Sequence, residues 1–327
     1  MATFIIAEAG ANHDRNLEQA LSLIDTAVEA GCDACKFQTY SSHTLYSKNT
    51  PDFAGHKNIT DLIKSLELPR EWQKYLKDYC DSKGIEFMST PFDEDAVEEL
   101  VNLGVKRMKI SGFEATDLRF VEMVASTGLP IIMSAGIGFR WDVWHLYLDI
   151  FKRYSNHLTM LHCNNAYPTP PEDIFLNTIT QLNMDGVDCI GFSDHTISAF
   201  TPALAVTLGA EVIEKHFTLS RSLTGPDHTF ALEPKELKQM VDNIRYAEKC
   251  LGYKNGFSES EKGFKKAMRS VVAKKNIKKG ELFTNKNLTT KRPYLKGNIL
   301  ASNFENILGK YSNSEYHIDD FIKNVEL

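Results

Sequence analysis

The sequence predicts an α/β protein, a (β/α)₈ TIM barrel followed by a small β-rich domain. Eight short apolar runs alternate with amphipathic helical runs, as expected for this barrel. A polar segment with Gly and Ser then follows, and the remaining tail has few helical signals. We therefore expect the barrel over residues 1–253, a linker over 254–266 and the small domain over 267–327.

The predicted strands are short runs rich in Ile, Val, Phe, Met or Leu. They cover residues 4–8, 34–39, 85–90, 107–111, 130–135, 158–163, 188–193 and 211–216. Several helical runs between them end at glycine, for example 17–30 before Gly31 and 70–83 before Gly84. An open doubly wound sheet is the alternative. It is disfavoured because no Gly-x-Gly-x-x-Gly follows the first strand and eight regular units favour closure.

Composition excludes several classes of protein. The net charge of −6 argues against a general nucleic-acid or anionic-membrane binder. No apolar stretch reaches membrane-spanning length, so we expect a cytoplasmic protein. The six cysteines are scattered, and we expect reduced packing residues. A redox or zinc pair at Cys32 and Cys35 is the alternative, but no second C-x-x-C accompanies it.

One connection is unusually long. It runs between Gln38 and Arg70 and mixes Pro, Gly, His and aromatic residues. Long connections in compact domains are often functional, so we expect a loop over the barrel mouth.

The carboxyl ends of the predicted strands are polar, and a (β/α)₈ barrel carries its chemistry there. Lys36 and Lys109 are expected to project from the second and fourth strands into one space. Together with nearby hydroxyl and amide groups, they form a site suited to phosphate and carboxylate. Surface lysines that keep their charge in water are the alternative. The accompanying polar residues are Thr90, Ser111, Ser134, Asn164 and Ser193.

Two histidines end neighbouring strands. His195 follows the seventh strand and His216 ends the eighth, with Glu214 beside it. Adjacent strands lie about 4.8 Å apart, so the two imidazoles could share one divalent cation. Hydrogen-bonded structural histidines are the alternative. His162 and His228 are weaker candidates for metal ligands.

These residues stand in segments that resemble the sialic acid synthase family, and the resemblance covers nearly the whole chain. The segments are IAEAGANHDRNLEQA, CKFQTY, STPFD, LHCNNAYPTPPED, GFSDHT, IEKHFTL, GPDHTFALEP and VVAKKNIKKGELFTNKNLTTKRP. The family has a (β/α)₈ barrel followed by an antifreeze-like (SAF) domain of the β-clip type. The resemblance therefore implies the same two domains here.

The resemblance also implies an activity. The enzyme would be a transferase that condenses phosphoenolpyruvate with the open-chain form of an N-acetylmannosamine-like sugar. The products would be a nine-carbon 2-keto sugar acid and phosphate. A divalent cation, typically Mn²⁺ with Mg²⁺ or Co²⁺ as alternatives, would be held by His195 and His216.

Individual roles follow from the same resemblance. Glu214 matches a family carboxylate close to the metal and the reacting carbons. The residues that match the phosphoenolpyruvate site are Lys36, Lys109, Thr90, Ser134, Asn164 and Ser193. Those that match the acceptor site are Glu8, Gln38, Tyr167 and Asp227. Arg292 matches an arginine that reaches the acceptor's acetamido group from the partner subunit of a domain-swapped homodimer.

Three alternatives to this interpretation of the function remain open. One is a metal-dependent aldolase or lyase, another is a Schiff-base aldolase acting through Lys109, and the third is a non-catalytic carbohydrate-binding protein. Within the family the acceptor also remains open. SGFEATD resembles the pseudaminic branch, whereas GPDHTFALEP resembles the sialic and legionaminic branches. Tyr294 and Leu295 stand where the family often has Gly. N-acetylmannosamine, its 6-phosphate and a diacetamido-trideoxy hexose are therefore all candidate acceptors.

Overall fold

The structure is a computed structural model that describes residues 2–51, 58–137, 139, 141–183 and 186–323. The chain divides into two compact units, Met1–Leu251 and Gly252–Leu327. In the described part of the chain, no helix is long and apolar enough to cross a membrane.

Eight parallel strands form one nearly closed sheet in the first unit. They are β1 (Phe4–Gly10), β2 (Ala34–Thr39), β3 (Glu86–Pro91), β4 (Met108–Ile110), β5 (Ile131–Ala135), β6 (Leu158–Cys163), β7 (Cys189–Asp194) and β8 (Val212–His216). Their order is β3-β2-β1-β8-β7-β6-β5-β4. At the remaining seam between β3 and β4, the Arg107 guanidinium donates to both Glu86 carboxylate oxygens, at 2.8 and 3.1 Å. The predicted (β/α)₈ barrel is confirmed.

The helices of this unit connect successive strands. They are α1 (Leu17–Ala30), α2 (Ser42–Leu45), α3 (Ile59–Leu66), α4 (Gln73–Lys83), α5 (Glu94–Leu103), α6 (Leu118–Ala125), α7 (Trp144–Tyr154), α8 (Thr178–Gln181), α9 (Thr201–Thr207) and α10 (Pro234–Cys250). Helix α1 shows how the sequence determines where a helix begins and ends. Asn16 caps α1 by accepting a hydrogen bond from the Gln19 N–H, and Gly31 ends it at φ 87°. Leu23 and Ile24 lie on its buried face.

The long connection between β2 and α4 is partly helical, which the sequence did not predict. It contains α2 and α3, and the α3 cap Asn58 accepts a hydrogen bond from the Asp61 N–H. Residues 52–57 of this connection lie outside the described residues.

Side chains inside the barrel form stacked layers, because successive residues of a strand point to opposite faces. The lower layer is apolar and consists of Ile6, Ala34, Met88, Ile132, Leu161 and Val212. Two residues further along most strands comes a polar layer of buried side chains. Its members are Glu8, Lys36, Thr90, Lys109, Ser134, Cys163, Ser193 and Glu214. The apolar layer thus separates this polar layer from the amino ends of the strands.

The second unit is small and has its own core. Strands β9 (Ser270–Ala273) and β10 (Leu288–Lys291) pair antiparallel, with α11 (Glu259–Lys262) before them and α12 (Phe304–Ile307) after them. Further isolated bridges, such as Ile277 with Tyr316, extend the β-structure. The predicted small β-rich domain is confirmed.

All six cysteines are free thiols in the structure. Cys32 and Cys35 are buried and belong to the core between the barrel and its helices. They pack as the sequence predicts for reduced structural cysteines.

Candidate active site

A cavity of about 50 Å³ lies above the apolar layer, at the carboxyl ends of the strands. The structure brings most of the predicted site residues to its wall. They are Glu8, Lys36, Gln38, Thr90, Lys109, Ser111, Ser134, Tyr167, Ser193, His195, Glu214 and His216. We call this space the inner cavity.

Lys36 is the central cation of the inner cavity. Its Nζ lies 2.8 Å from Glu8 Oε2 and 3.4 Å from Glu214 Oε2, and it donates to Thr90 Oγ1 at 2.9 Å. Burial works against its charge, but the two carboxylates raise the pKa of Lys36 above its ordinary value. The Lys36 ammonium is therefore charged and held between two acids.

Lys109 faces the same cavity from β4. Its Nζ donates to Ser134 Oγ at 2.8 Å and to the Ile110 carbonyl at 3.1 Å. Glu214 Oε1 is 3.8 Å away, a weaker pairing than that of Lys36. Burial lowers the pKa of Lys109 below its ordinary value, since less negative charge offsets the loss of water.

The two buried carboxyl groups differ in protonation. Burial raises the pKa of Glu8 to about 7, with Lys36 opposing the effect. Burial also disfavours charge on Glu214, but Lys109, Lys36 and a 3.0 Å hydrogen bond from Ser193 Oγ outweigh it. These partners lower the pKa of Glu214 to about 2. At neutral pH Glu214 is an anion, whereas Glu8 holds a proton much more readily because burial raises its pKa.

His195 and His216 come together as predicted, with ring centroids 5.4 Å apart. The His195 Nδ1 lies 2.5 Å from the Asn164 carbonyl, which can only accept, so Nδ1 carries a proton and Nε2 is left as the electron-pair donor. Burial lowers the pKa of His195 to about 4 and that of His216 well below its ordinary value. Both rings are neutral at pH 7, the form that binds metal.

The two rings fit a divalent cation. His216 Nδ1 is buried without a hydrogen-bond partner and lies 3.9 Å from Asp227 Oδ2. An unsatisfied buried nitrogen costs about 1–3 kcal/mol, and a ligand would relieve that cost. Within the described ranges, no three His, Cys, Asp or Glu side chains form a metal site by themselves. The protein therefore offers two ring ligands and leaves other coordination positions to water or substrate.

Tyr167 and Asp227 lie at the outer edge of this region. The Tyr167 ring is 4.1 Å from the His195 ring centroid and 6.0 Å from that of His216. Burial raises the pKa of Asp227 to about 6. Gln38 Nε2 donates to Glu8 Oε1 at 2.9 Å, so the amide orients that carboxyl group.

Two of the predicted site residues do not line the inner cavity. The Asn164 side chain donates to the Asp173 carbonyl at 3.0 Å and accepts from the Ala166 N–H at 2.9 Å, so its amide braces the loop after β6. Its carbonyl orients His195, but the side chain does not line the inner cavity. Arg292 is exposed in the second unit and makes no hydrogen bond or ion pair with any described residue.

Sequence reasoning missed several residues of the cavity wall: Phe92, Gly112, Phe113, Cys163 and Asn165. Asn165 takes the place expected for Asn164, and its Oδ1 accepts from the Ile137 N–H at 2.8 Å. A Cβ at Gly136 would lie 2.0 Å from that oxygen. Gly112 and Gly136, just beyond β4 and β5, were therefore the available signal in the sequence, because a side chain at either position would meet the Asn165 amide.

The weaker histidine candidates serve structural roles. His162 Nε2 contacts the Ile174 carbonyl at 2.5 Å. His228 is buried between Asp14, with Nε2 3.1 Å from the carboxylate, and Thr218, with Nδ1 2.6 Å from the hydroxyl. Neither lines the inner cavity.

Comparison with protein families settles the relationship. The NeuB family model matches residues 23–256, and the SAF domain model matches residues 268–327. The chain belongs to the NeuB family. The resemblance inferred from the sequence motifs is confirmed, and so is the SAF domain at the carboxyl end.

Relatives of this NeuB family chain are sialic-type acid synthases. It is 38% identical over 323 residues to N,N'-diacetyllegionaminic acid synthase of Legionella pneumophila, covering 94% of this chain and 90% of the relative. It is 36% identical over 330 residues to pseudaminic acid synthase of Campylobacter jejuni, covering 98% and 95%. A solved N-acetylneuraminic acid synthetase of Leptospira borgpetersenii has a TM-score of 0.74 and 35% identity, covering 81% and 90%.

Proposed function

We propose that this chain is a nonulosonic acid synthase. It joins phosphoenolpyruvate to the open-chain aldehyde of an N-acetylated amino sugar and releases a nine-carbon 2-keto sugar acid and phosphate. One observation carries the proposal: two buried lysines and an ionised buried glutamate share one cavity with two neutral histidines. Such cations balance the charge of a phosphorylated carboxylate, and a divalent cation held by such a histidine pair can polarise an aldehyde.

Phosphoenolpyruvate binds in the inner cavity through Lys36 and Lys109, with Thr90 and Ser134 as hydrogen-bond donors. Ser111 and Ser193 lie beside it, and their hydroxyl groups donate to Glu114 and Glu214. The anion competes with Glu8 and Glu214, which already pair with the lysines. Glu8 has the higher pKa of the two carboxyl groups, so it can take up a proton. Its ion pair with Lys36 is then lost, and the Lys36 ammonium group can pair with the substrate instead.

His195 and His216 hold a divalent cation, with Mn²⁺ as the first choice and Mg²⁺ or Co²⁺ as alternatives. When bound, this cation supplies Lewis-acid polarisation of the acceptor aldehyde. Glu8, Gln38, Tyr167 and Asp227 orient the acceptor sugar beside the two rings.

The C3 carbon of phosphoenolpyruvate forms a bond to the aldehyde carbon, and the aldehyde oxygen takes a proton to become a hydroxyl group. Water adds to the cationic C2, and Glu214 accepts its proton because it is ionised and fixed by Ser193. The C2–O bond to phosphate then breaks and C2 becomes the keto group. Of the two protons of the added water, one replaces the proton taken by the aldehyde oxygen and the other leaves with the phosphate.

A Schiff-base aldolase acting through Lys109 is the second candidate function. Burial lowers the pKa of Lys109, which favours the nucleophilic free amine. Borohydride in the presence of pyruvate would trap a covalent adduct on this lysine, whereas the synthase forms none.

The assembly is proposed to be a domain-swapped homodimer in the cytoplasm. Arg292 is exposed and its guanidinium is unpaired within the described residues, so it is free to reach another chain. A planar guanidinium suits the carbonyl of an acetamido group.

The direct test of this function is acceptor-dependent release of phosphate from phosphoenolpyruvate. We expect release only when phosphoenolpyruvate, an N-acetylated hexosamine and Mn²⁺ are all present, and loss of release in excess chelator. Full turnover in chelator contradicts the metal proposal, and release without any sugar contradicts the synthase.

A further inference from the structure

The segment that follows β8 forms a loop that closes on itself beside His216. At its base, the Leu232 N–H donates to the His216 carbonyl at 3.0 Å, and the Thr218 N–H donates to the Leu232 carbonyl at 2.9 Å. Residues 218–231 therefore leave the barrel and return to the same point. We call these residues the β8 loop.

The β8 loop carries Asp227 to the edge of the candidate site. Asp227 Oδ2 lies 3.9 Å from His216 Nδ1. A Cβ placed on Gly10, the last residue of β1, would lie 3.1 Å from the same oxygen. The carboxyl group is thus held over the ends of two adjacent strands. Because Asp227 lies away from the base of the loop, its position depends on what fixes the middle of the loop.

The next residue, His228, fixes the middle of the loop from inside the protein. The exposed fraction of its side chain is 0%. His228 Nε2 lies 3.1 Å from both carboxylate oxygens of Asp14, and its Nδ1 lies 2.6 Å from Thr218 Oγ1. A carboxylate only accepts, so Nε2 carries the proton and donates it. The imidazole therefore links the loop both to its own base and to the connection between β1 and α1.

Asp14, the partner of the imidazole on that connection, is itself held in place. Its backbone has a φ of 48°. Gln19 Nε2, from α1, donates to Asp14 Oδ2 at 2.7 Å and to the Asn12 carbonyl at 2.7 Å. Asn12 Nδ2 in turn donates to the Phe217 carbonyl at 2.7 Å. The carboxylate is therefore a fixed acceptor, tied to the barrel on two sides.

The packing around the ring leaves it little room to move. A Cβ placed on Gly225 would lie 2.9 Å from His228 Cδ2 and 3.2 Å from Asp14 Oδ1. A side chain at position 225 would therefore displace the imidazole or the carboxylate. The glycine allows the loop backbone to approach the pair closely.

From these contacts we infer that His228 is a positioning residue for the acceptor sugar and acts through Asp227. The inference rests on the proposed function, in which Asp227 orients the acceptor beside the histidine pair. The link from Asp14 through His228 determines the path of the β8 loop, and with it the place of the Asp227 carboxyl group. A misplacement of about 1 Å at a substrate-orienting group can cost about 10²-fold in activity.

Two variants break the link from either end. His228→Leu removes both ring nitrogens, and Asp14→Gly removes the carboxylate at a φ that glycine adopts without strain. The acceptor is the best wild-type substrate among N-acetylmannosamine, its 6-phosphate and a diacetamido-trideoxy hexose. We expect each variant to raise the KM for this sugar by about 10- to 100-fold. The KM for phosphoenolpyruvate, and Mn²⁺ affinity measured by electron paramagnetic resonance, should change by less than about twofold.

Conservative variants at the same positions are the matched controls. Asp14→Asn keeps an oxygen that accepts from Nε2 and tolerates the left-handed backbone. His228→Gln keeps an N–H donor for Asp14. Both should have a sugar KM close to that of the wild type. Thermal unfolding checks every variant, and Asp14→Gly keeps the test decisive if His228→Leu fails to fold.

A double variant tests whether His228 acts through Asp227. Asp227→Ala should already raise the KM for the sugar, because it removes the proposed orienting group. If the imidazole serves only to place that group, adding His228→Leu should raise the KM by no more than about twofold further. A further rise as large as that in the wild-type background would overturn the inference.

The outcomes separate this inference from the proposed function. A lower unfolding temperature with an unchanged sugar KM in Asp14→Gly and His228→Leu would show that the link serves stability alone. That result overturns the inference and leaves the synthase standing. No phosphate release by the wild type with any of the three sugars contradicts the synthase itself, and the inference falls with it.

Discussion

At the scale of single residues, the site is governed by how two buried cations and two buried acids are paired. Lys36 touches both Glu8 and Glu214, whereas Lys109 has only a 3.8 Å approach to Glu214. Removing one partner of a buried ion pair leaves the other charge uncompensated, which is more costly than never having the pair. The two lysines line the same cavity, but Lys36 should contribute more to stability than Lys109.

We predict that Lys36→Ala and Lys109→Ala both impair the use of phosphoenolpyruvate far more than the use of the sugar, since the anion loses a counter-charge. Lys36→Ala should also lower the free energy of unfolding by about 3–5 kcal/mol, because Glu8 and Glu214 lose their ion pair. Lys109→Ala should lower the free energy of unfolding by a smaller amount. Steady-state kinetics and urea denaturation measure both effects, and unchanged kinetics for phosphoenolpyruvate in both variants would refute the assignment.

The protonation of Glu214 gives a second residue-scale prediction. Glu214→Gln keeps the shape and the Ser193 contact but removes the anion that accepts the water proton. We expect kcat to fall by about 10²- to 10⁴-fold, with a much smaller change in the KM for the sugar. Ser220→Ala, at an exposed hydroxyl outside the inner cavity, is the control and should keep wild-type kcat.

The candidate site was predictable from sequence where strand alternation decides it. Lys36, Lys109, Glu214 and the histidines follow from their place near strand ends. Asn164 and Asn165 show the limit, because they lie beyond β6 and the path of a loop decides which side chain turns inward. That path is set by Asp173 and Ala166 on one side and by Ile137 on the other. Such contacts leave no periodic signal in the sequence.

At the scale of secondary-structure elements, β7 and β8 position the histidine pair. Asp194 and Lys215 are register partners directly before His195 and His216. Lys215 Nζ lies 2.8 Å from Asp194 Oδ2, and the exposed fractions of the two side chains are 1% and 0%. The Thr196 N–H also donates to Asp194 Oδ1 at 2.9 Å. This buried pair ties the ends of the two strands together beside the His195 and His216 rings.

We predict that Lys215→Met lowers the free energy of unfolding by about 3–5 kcal/mol, since it leaves the Asp194 carboxylate buried and unpaired. It should also weaken Mn²⁺ binding, measured by electron paramagnetic resonance, because β7 and β8 lose their link beside the histidines. Lys238→Met is the matched control. Lys238 pairs with Asp242 on the exposed face of α10, and its loss should cost no more than about 0.5 kcal/mol. Unaltered Mn²⁺ affinity in Lys215→Met would show that the pair serves stability alone.

The strands were predictable because each is a short apolar run between turn residues, and helices such as α1 carry clear caps. Helix α3 was missed for a physical reason. It has eight residues inside a connection rich in loop-forming residues, and its packing through Ile59 and Leu66 is tertiary information. Leu66 and Ile63 nevertheless line a cavity of about 240 Å³ that shares Tyr167 and His216 with the inner cavity, so the missed helix lies beside the candidate site.

At the scale of the whole molecule, the barrel and the SAF domain are separate compact units with separate cores. A functional link between them is proposed through Arg292 of a partner subunit. All of the described residues that line the inner cavity belong to the barrel, so we expect the chemistry itself to reside in the first unit.

Complementation between two inactive variants tests the swapped homodimer. His195→Ala subunits are mixed with Arg292→Ala subunits under conditions in which subunit exchange is demonstrated by mass. If Arg292 acts across the dimer, each mixed dimer contains one site with both residues intact, and activity returns. Absence of recovery despite proven exchange would refute the swap.

We propose that phosphoenolpyruvate is consumed by carbon–carbon bond formation and C–O cleavage. Phosphoenolpyruvate labelled with ¹⁸O in its bridging oxygen tests this directly when it is incubated with Mn²⁺ and N-acetylmannosamine or another N-acetylated acceptor sugar. We expect inorganic phosphate that carries the label, seen by ³¹P nuclear magnetic resonance, in equal amount to a nine-carbon keto acid identified by mass. Unlabelled phosphate, or labelled phosphate formed without the sugar acid, would contradict it.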